Sequence, residues 1–134
     1  MNLKNQKLSN ILAPVSLGEI IDKITILEIK KEKINDIQKL KDIEKELSSL
    51  TTTSEDQIPD KSKIEGLIQS LKKINLKLWD IEENKRKAEK NKKFDEAFIK
   101  LSRDVYKSND ERAKIKLKIN EILGSNIKEV KSHY

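Results

Sequence analysis

The sequence predicts an all-α chain: an elongated antiparallel helical bundle, coiled-coil-like, built of three long helical rods of which the first is kinked. Three observations carry this. Charged residues make up 39% of the 134 and the hydrophobic class 35%, with only three Gly and two Pro to interrupt helices. Phe94, Phe98, Leu101, Val105, Ser108, Arg112, Ile115, Ile119 and Ile122 follow one another at alternating spacings of four and three, the seam of a long helix. Ile64, Leu67, Leu71, Ile74, Leu78 and Ile81 repeat that pattern earlier in the chain. The length implies one helical domain over residues 1–134, with a lead-in at 1–13, a loop at 51–60 and a polar tail at 125–134.

The elements are justified in turn. Ser16 with Glu19 three residues later forms a capping box, with Val15 and Ile20 placed as its hydrophobic staple, so helix 1 begins at Leu17. Its main stripe is Leu17, Ile20, Ile21, Ile24 and Leu27, and Ile26 and Ile29 lie off it, toward a second neighbour. Past Ile34 the phase slips to Ile37, Leu40, Ile43, Leu47 and Leu50. With no Gly or Pro to force a reversal, the expectation is a kink at Asn35–Asp36, Asp36 capping a second segment that ends near Leu50. Thr51 to Asp60, rich in Thr, Ser and Asp, reads as the loop where the chain reverses. Helix 3 then spans Lys61 to Lys90, about 45 Å. Fusing it to the next helix would make a rod of about 95 Å, so a tight turn is expected at Asn91–Phe94. Asp95 caps helix 4, with Phe94 and Ile99 as a staple, and Gly124 stops it after Leu123.

Composition excludes several chemistries. No cysteine is present, so there is no disulfide, thiol nucleophile or Cys-type zinc site, and the single His133 makes no metal centre by itself. No cofactor is expected, and no Gly-rich phosphate loop or nucleophile with a base at motif spacing occurs. No apolar run reaches the length of a signal-peptide core or a membrane span, so the expected location is cytoplasmic with no membrane association. The net charge of +6 invites a nucleic-acid reading, concentrated in a basic tip of Lys85, Arg86, Lys87, Lys90, Lys92 and Lys93. That tip lacks the interleaved aromatics of single-strand binders, and most lysines lie among glutamates on solvated faces, so nucleic acid is not favoured.

The candidate site residues are charges in apolar rows. Arg112 sits near the centre of the helix 4 seam, in a chain with 26 Lys and only three Arg, and a buried Arg needs a carboxylate to meet its planar fork. Glu28, which extends the helix 1 stripe, is the expected partner, with Glu32 as the fallback. A second seam on helix 4, Ile99, Arg103, Tyr106, Asp110, Ala113 and Leu117, lies half a turn away. It carries a polar cluster of Arg103, Tyr106, Asn109 and Asp110, which is either a binding site or an ordinary interhelical face. Trp79, the one tryptophan, reads as a core or interface anchor.

PVSLGEIIDKITILEIK at 14–30, LWDIEE at 78–83 and FDEAFIKLSRDVYKSNDERAKIKLKIN at 94–120 together resemble an uncharacterised bacterial helical family known only as a domain of unknown function. The ending Glu129 to Tyr134 resembles that family's ending, with His133 as an extra residue. The resemblance implies a small, mostly helical cytoplasmic domain and no activity. From the residues, the preferred reading is a non-catalytic protein-interaction or self-association module, a homo-oligomer being the simplest cover for a spare seam. The alternatives are an all-helical enzyme of the chorismate-mutase type, using Arg103 or Arg112 with Glu28, and nucleic-acid binding through the Lys85–Lys93 tip. Cations in an enclosed cavity without carboxylate partners would favour the enzyme; fully paired charges would favour the module.

Overall fold

The computed structural model describes residues 8–131; the first seven residues of the lead-in and the last three, with His133, lie outside them. Four α-helices are present, α1 (Leu17–Lys33), α2 (Ile37–Gln57), α3 (Glu65–Lys90) and α4 (Glu96–Leu123), and no strand occurs among the described residues.

The first rod is not kinked but broken. Ile34 and Asp36 are extended, Asp36 accepts from the Lys39 N–H at 2.9 Å, and the chain turns back. The proof is Lys23 Nζ at 3.0 Å from Glu46 Oε2. On a continuous rod those two residues would stand about 34 Å apart at the α-helical rise. A three-residue connection with extended backbone at Ile34 and Asp36 and an Asx cap reverses the chain without Gly or Pro, which is why the absence of breakers misleads here. The expected loop at 51–60 is also mostly helix. α2 runs on to Gln57, with Thr52 and Thr53 hydroxyls donating back to the Ser48 and Ser49 carbonyls at 3.0 and 3.1 Å. Polar side chains that bond their own helix are compatible with it, so the composition marks a solvated helical end instead of a loop. The reversal lies at 58–61, where Ile58 is buried and Lys61 Nζ caps α2 by donating to the Ser54 and Ile58 carbonyls at 3.3 and 2.8 Å. A 3₁₀ turn at Ser62–Ile64 then leads into α3, its Ser62 N–H held by Asp60 Oδ1 at 2.9 Å.

The remaining helix ends follow the capping chemistry. Ser16 Oγ accepts from the Glu19 N–H at 3.1 Å, and Asp95 Oδ1 accepts from the Phe98 N–H at 3.2 Å. Gly124 takes the left-handed conformation, φ 71°, that ends α4. Of the residues expected as staples, all but Ile20 stay largely open to solvent. Val15, Phe94 and Ile99 are each more than half exposed, and Phe94 instead meets Phe98 edge to face at 5.3 Å.

α1 touches every other helix, which explains why hydrophobic and small residues appear nearly all around it. Ile20, Ile21, Leu27 and Ile29 are buried among neighbours, and so are Gly18, Asp22 and Thr25 on the side toward α4 and α3. The core joins Ile20 and Ile21 to Ile58, Ile64, Leu71, Ile74 and Ile119. It occupies the α1 end of the α3–α4 pair and stops there: Ile81 is the last buried residue before the turn and Ser108 the first after it. Residues 82–107 therefore form a two-helix arm without a core of its own.

Gly18 permits the tightest contact. A Cβ there would sit 2.5 Å from the Lys116 carbonyl oxygen, a backbone atom that cannot swing away, whereas one at Gly66 would meet nothing within 4 Å. Gly18→Ala is expected to destabilise by about 1–3 kcal/mol, since α1 must shift off α4, and Gly66→Ala to stabilise by about 0.5–1 kcal/mol. Urea unfolding of the two variants beside the parent checks this, and equal effects of the two would contradict the close approach.

Candidate functional site

The site grows from two facing rows. On α1, Gly18, Asp22, Thr25 and Ile29 recur at four, three and four; on α4, Ser108, Arg112, Lys116 and Asn120 recur at steps of four. All but Arg112 are buried. Apart from Ile29, the first row supplies small or polar side chains, and the second supplies polar ones that reach across to them.

Asp22, fully buried, is the centre. Arg112 Nε donates to its Oδ1 at 2.9 Å and its Oδ2 at 3.1 Å, and Nη2 adds a close contact to Oδ2. From α3, Asn75 Nδ2 donates to Asp22 Oδ1 and to Thr25 Oγ1, both at 2.9 Å, while the Thr25 hydroxyl donates to the Asp22 carbonyl at 2.7 Å. The Asp22 hydrogen bonds hold the Arg112 guanidinium above its usual value, against the opposing effect of burial. One turn on, the buried Lys116 ammonium lies 2.6 Å from Glu19 Oε2, 2.7 Å from Glu129 Oε2 and 3.9 Å from Asp22 Oδ2. Burial is the largest single influence on Lys116 and lowers its pKa, but the bonds to Glu129 and Glu19 outweigh it and leave the ammonium above the ordinary lysine value.

The segment after α4 closes the cluster. Ser125 Oγ accepts from the Leu17 N–H at 3.3 Å and donates to the Ile127 carbonyl at 2.6 Å; Glu129 reaches Lys116; Lys131 Nζ meets Asp110 Oδ1 at 2.7 Å. Asn120 Oδ1 accepts from the Gly18 N–H at 2.7 Å, which ties the start of α1 to the end of α4. Ser108 Oγ and Asn120 Nδ2 are buried without a hydrogen-bond partner among the described residues.

The expected residues separate. Arg112 meets a buried carboxylate on α1, as its place in the seam demands, but the partner is Asp22. Glu28 and Glu32 both face Lys72 of α3, at 3.2 and 3.5 Å. Glu28 is six residues past Asp22, about 9 Å farther along the α1 axis, and on the side toward α3. Of the polar cluster on α4, Asn109 accepts from Arg112 Nη1 at a long 3.5 Å and Asp110 pairs with Lys131, while Arg103 and Tyr106 stay exposed on the arm. Trp79, half-buried, lines a cleft of about 180 Å³ with Ile26, Ile29, Leu78 and Arg112. In the basic tip Lys85 is half-buried and Arg86, Lys87, Lys90, Lys92 and Lys93 are exposed, Lys92 with φ 52° at the turn. Asp22, Thr25, Lys116, Glu19 and Glu129 were not singled out by the seams. The signal for Asp22 was present in its four-three row with Gly18, Thr25 and Ile29, a row that a search for apolar residues passes over.

A concavity of about 420 Å³ lies over this cluster, lined by Glu19, Asn109, Arg112, Ala113, Lys116, Glu129 and Lys131. Arg112, Lys116 and Lys131 are each within ion-pair distance of a carboxylate. No group of three or more His, Asp or Glu placed to hold a metal occurs among the described residues, and no helix is long and apolar enough to cross a membrane.

Fold and site thus define a small all-helical domain fastened by a buried network of ion pairs. The chain belongs to the family of unknown function DUF6165, whose model matches residues 11–134. No curated protein and no solved structure matches it.

Removing one member of the Asp22–Arg112 pair strands the other, so Arg112→Met or Asp22→Leu alone is expected to cost about 3–5 kcal/mol, and the two together less than the sum. A double-mutant cycle by urea unfolding reads the coupling; additive losses under about 1 kcal/mol each would show that the pair does not hold the fold. Lys116 adds a pH signature. Its proton is held more tightly folded than unfolded, so its contribution is complete below about pH 10.5 and is lost as pH rises through the raised folded value. Unfolding midpoints followed into the alkaline range should fall less steeply in Lys116→Met than in the parent.

Proposed function

We propose that this domain is a non-catalytic protein-interaction module and that its contact surface is the arm, residues 82–107. One observation carries the reading: the four-three seam runs through Phe94, Phe98, Leu101 and Val105, yet nothing between Ile81 and Ser108 is buried. A two-helix arm with half-exposed Phe98, Leu101 and Val105 and exposed Phe94, Ile99 and Tyr106 leaves apolar surface that another helix would cover. The paired state of Arg112 and Lys116 favours this over the chorismate-mutase-type reading, which requires cations free to hold an anionic substrate. Arg103, the other arginine of that reading, is exposed and remote from the ion cluster.

The test separates a contact surface from a core. Leu101→Ala and Val105→Ala are expected to change the unfolding free energy of the isolated chain by under about 1 kcal/mol, whereas Ile119→Ala, fully buried, should cost about 2–5 kcal/mol. Arm variants as costly as Ile119→Ala would mean that the arm side chains serve the chain's own core and are not kept for a partner.

A further inference from the structure

Resting on the reading of the arm as a contact surface, we propose that its partner is a second copy of this chain, docked antiparallel along one outward stripe of α3. The stripe is Leu76, Asp80, Glu83, Lys87 and Lys90, at spacings of four, three, four and three, so all five share one helix face. The four charged residues are exposed and Leu76 is half-buried. Two acids are followed by two bases, and the arrangement is self-complementary about Lys85. Turning a second α3 end over end sets Asp80 against the partner's Lys90 and Glu83 against the partner's Lys87, then repeats both pairs by the two-fold. A parallel alignment would stack acid on acid and base on base. Within the described chain none of these four charges has an ion pair or side-chain hydrogen bond, although Glu83 and Lys87 stand one turn apart.

The same two-fold provides the apolar contact. Asp80 is set against the partner's Lys90, the last residue of α3, so the partner's turn at 91–95, which carries Phe94, follows beside the Leu76 end of the stripe. Leu76 borders an open groove of about 940 Å³ whose apolar wall is Leu67, Ile74, Ile81 and Ile115. α1 does not fill it: Asn75 and Lys72, which face α1, are absent from its lining. Phe94 is 55% exposed at the arm's tip, touching only the edge-to-face ring of Phe98 among the aromatics. The second copy brings each tip to the other's groove, with the charge stripes fixing direction and register.

Sedimentation of the full chain tests this, with helicity measured on every variant. The parent should be a dimer at micromolar concentration and dissociate as salt rises. Lys87→Glu with Lys90→Glu, and separately Asp80→Lys with Glu83→Lys, should each weaken self-association about tenfold or more. Mixing the two variants one to one should restore a dimer, since the acidic and basic stripes then match. Phe94→Ser should also weaken it while the charges remain. A parent that stays monomeric at low salt, or charge variants that keep the parent's mass, would overturn the second-copy proposal. The Leu101 and Val105 stability result is independent of it, so a monomeric parent with a dispensable arm would point to a different protein on that surface.

Discussion

Everything in the body of this domain depends on a carboxylate placed where no water reaches it. Asp22 is fully enclosed at the junction of α1, α3 and α4. Such a charge is tolerable only if nearly every lone pair is met, and here a guanidinium, an amide and a nearby ammonium meet it from two other helices. A hydrophobic replacement of similar volume would hold the helices together as well or better, but it would not fix their register. An apolar contact tolerates sliding by part of a turn; a fork on a carboxylate does not.

This constraint accounts for the composition of α1. A helix with neighbours on three sides cannot be amphipathic in the ordinary sense. Its apolar residues serve the core formed with the 3₁₀ turn and α3, while Gly18, Asp22 and Thr25 serve α4 and Asn75. Close approach at Gly18 and the bond from its N–H to Asn120 bring the rows near enough for Arg112 to reach Asp22 with a nearly closed fork. Lys116, four residues farther on, lies beside the acids of the first α1 turn and of the segment after α4. Its three carboxylate neighbours exceed its single charge, and the arginine next to it shares the balance.

Legibility in the sequence followed the range of the interaction. Local chemistry read directly: Ser16, Asp36 and Asp95 as caps, Gly124 as a stop, and the turn before Asp95. Features decided between distant segments did not. The reversal at 34–36 has no breaker residue, and the helical Thr51–Gln57 looks like a loop by composition because its hydroxyls bond its own backbone. Arg112 announced a buried ion pair through its place in an apolar seam, yet the choice between Asp22 and Glu28 rests on how far α1 is shifted along α4, which no single helix encodes. The seam itself overstated the core. Four of its nine positions, Phe94 to Val105, have core spacing but no third helix to cover them, since α1 ends at Lys33.

The hydrogen bond from the Leu17 N–H to Ser125 Oγ brings the segments that enter α1 and leave α4 within 3.3 Å of each other. The arm's turn lies at the opposite end of α4, about 42 Å away for its 28 residues. Tension applied between the two flanking segments therefore loads the body as a zipper opened from one end, with Leu17–Ser125 and Gly18–Asn120 bearing force first and the arm bearing none. The domain can be anchored or pulled by both flanks while the arm carries no load.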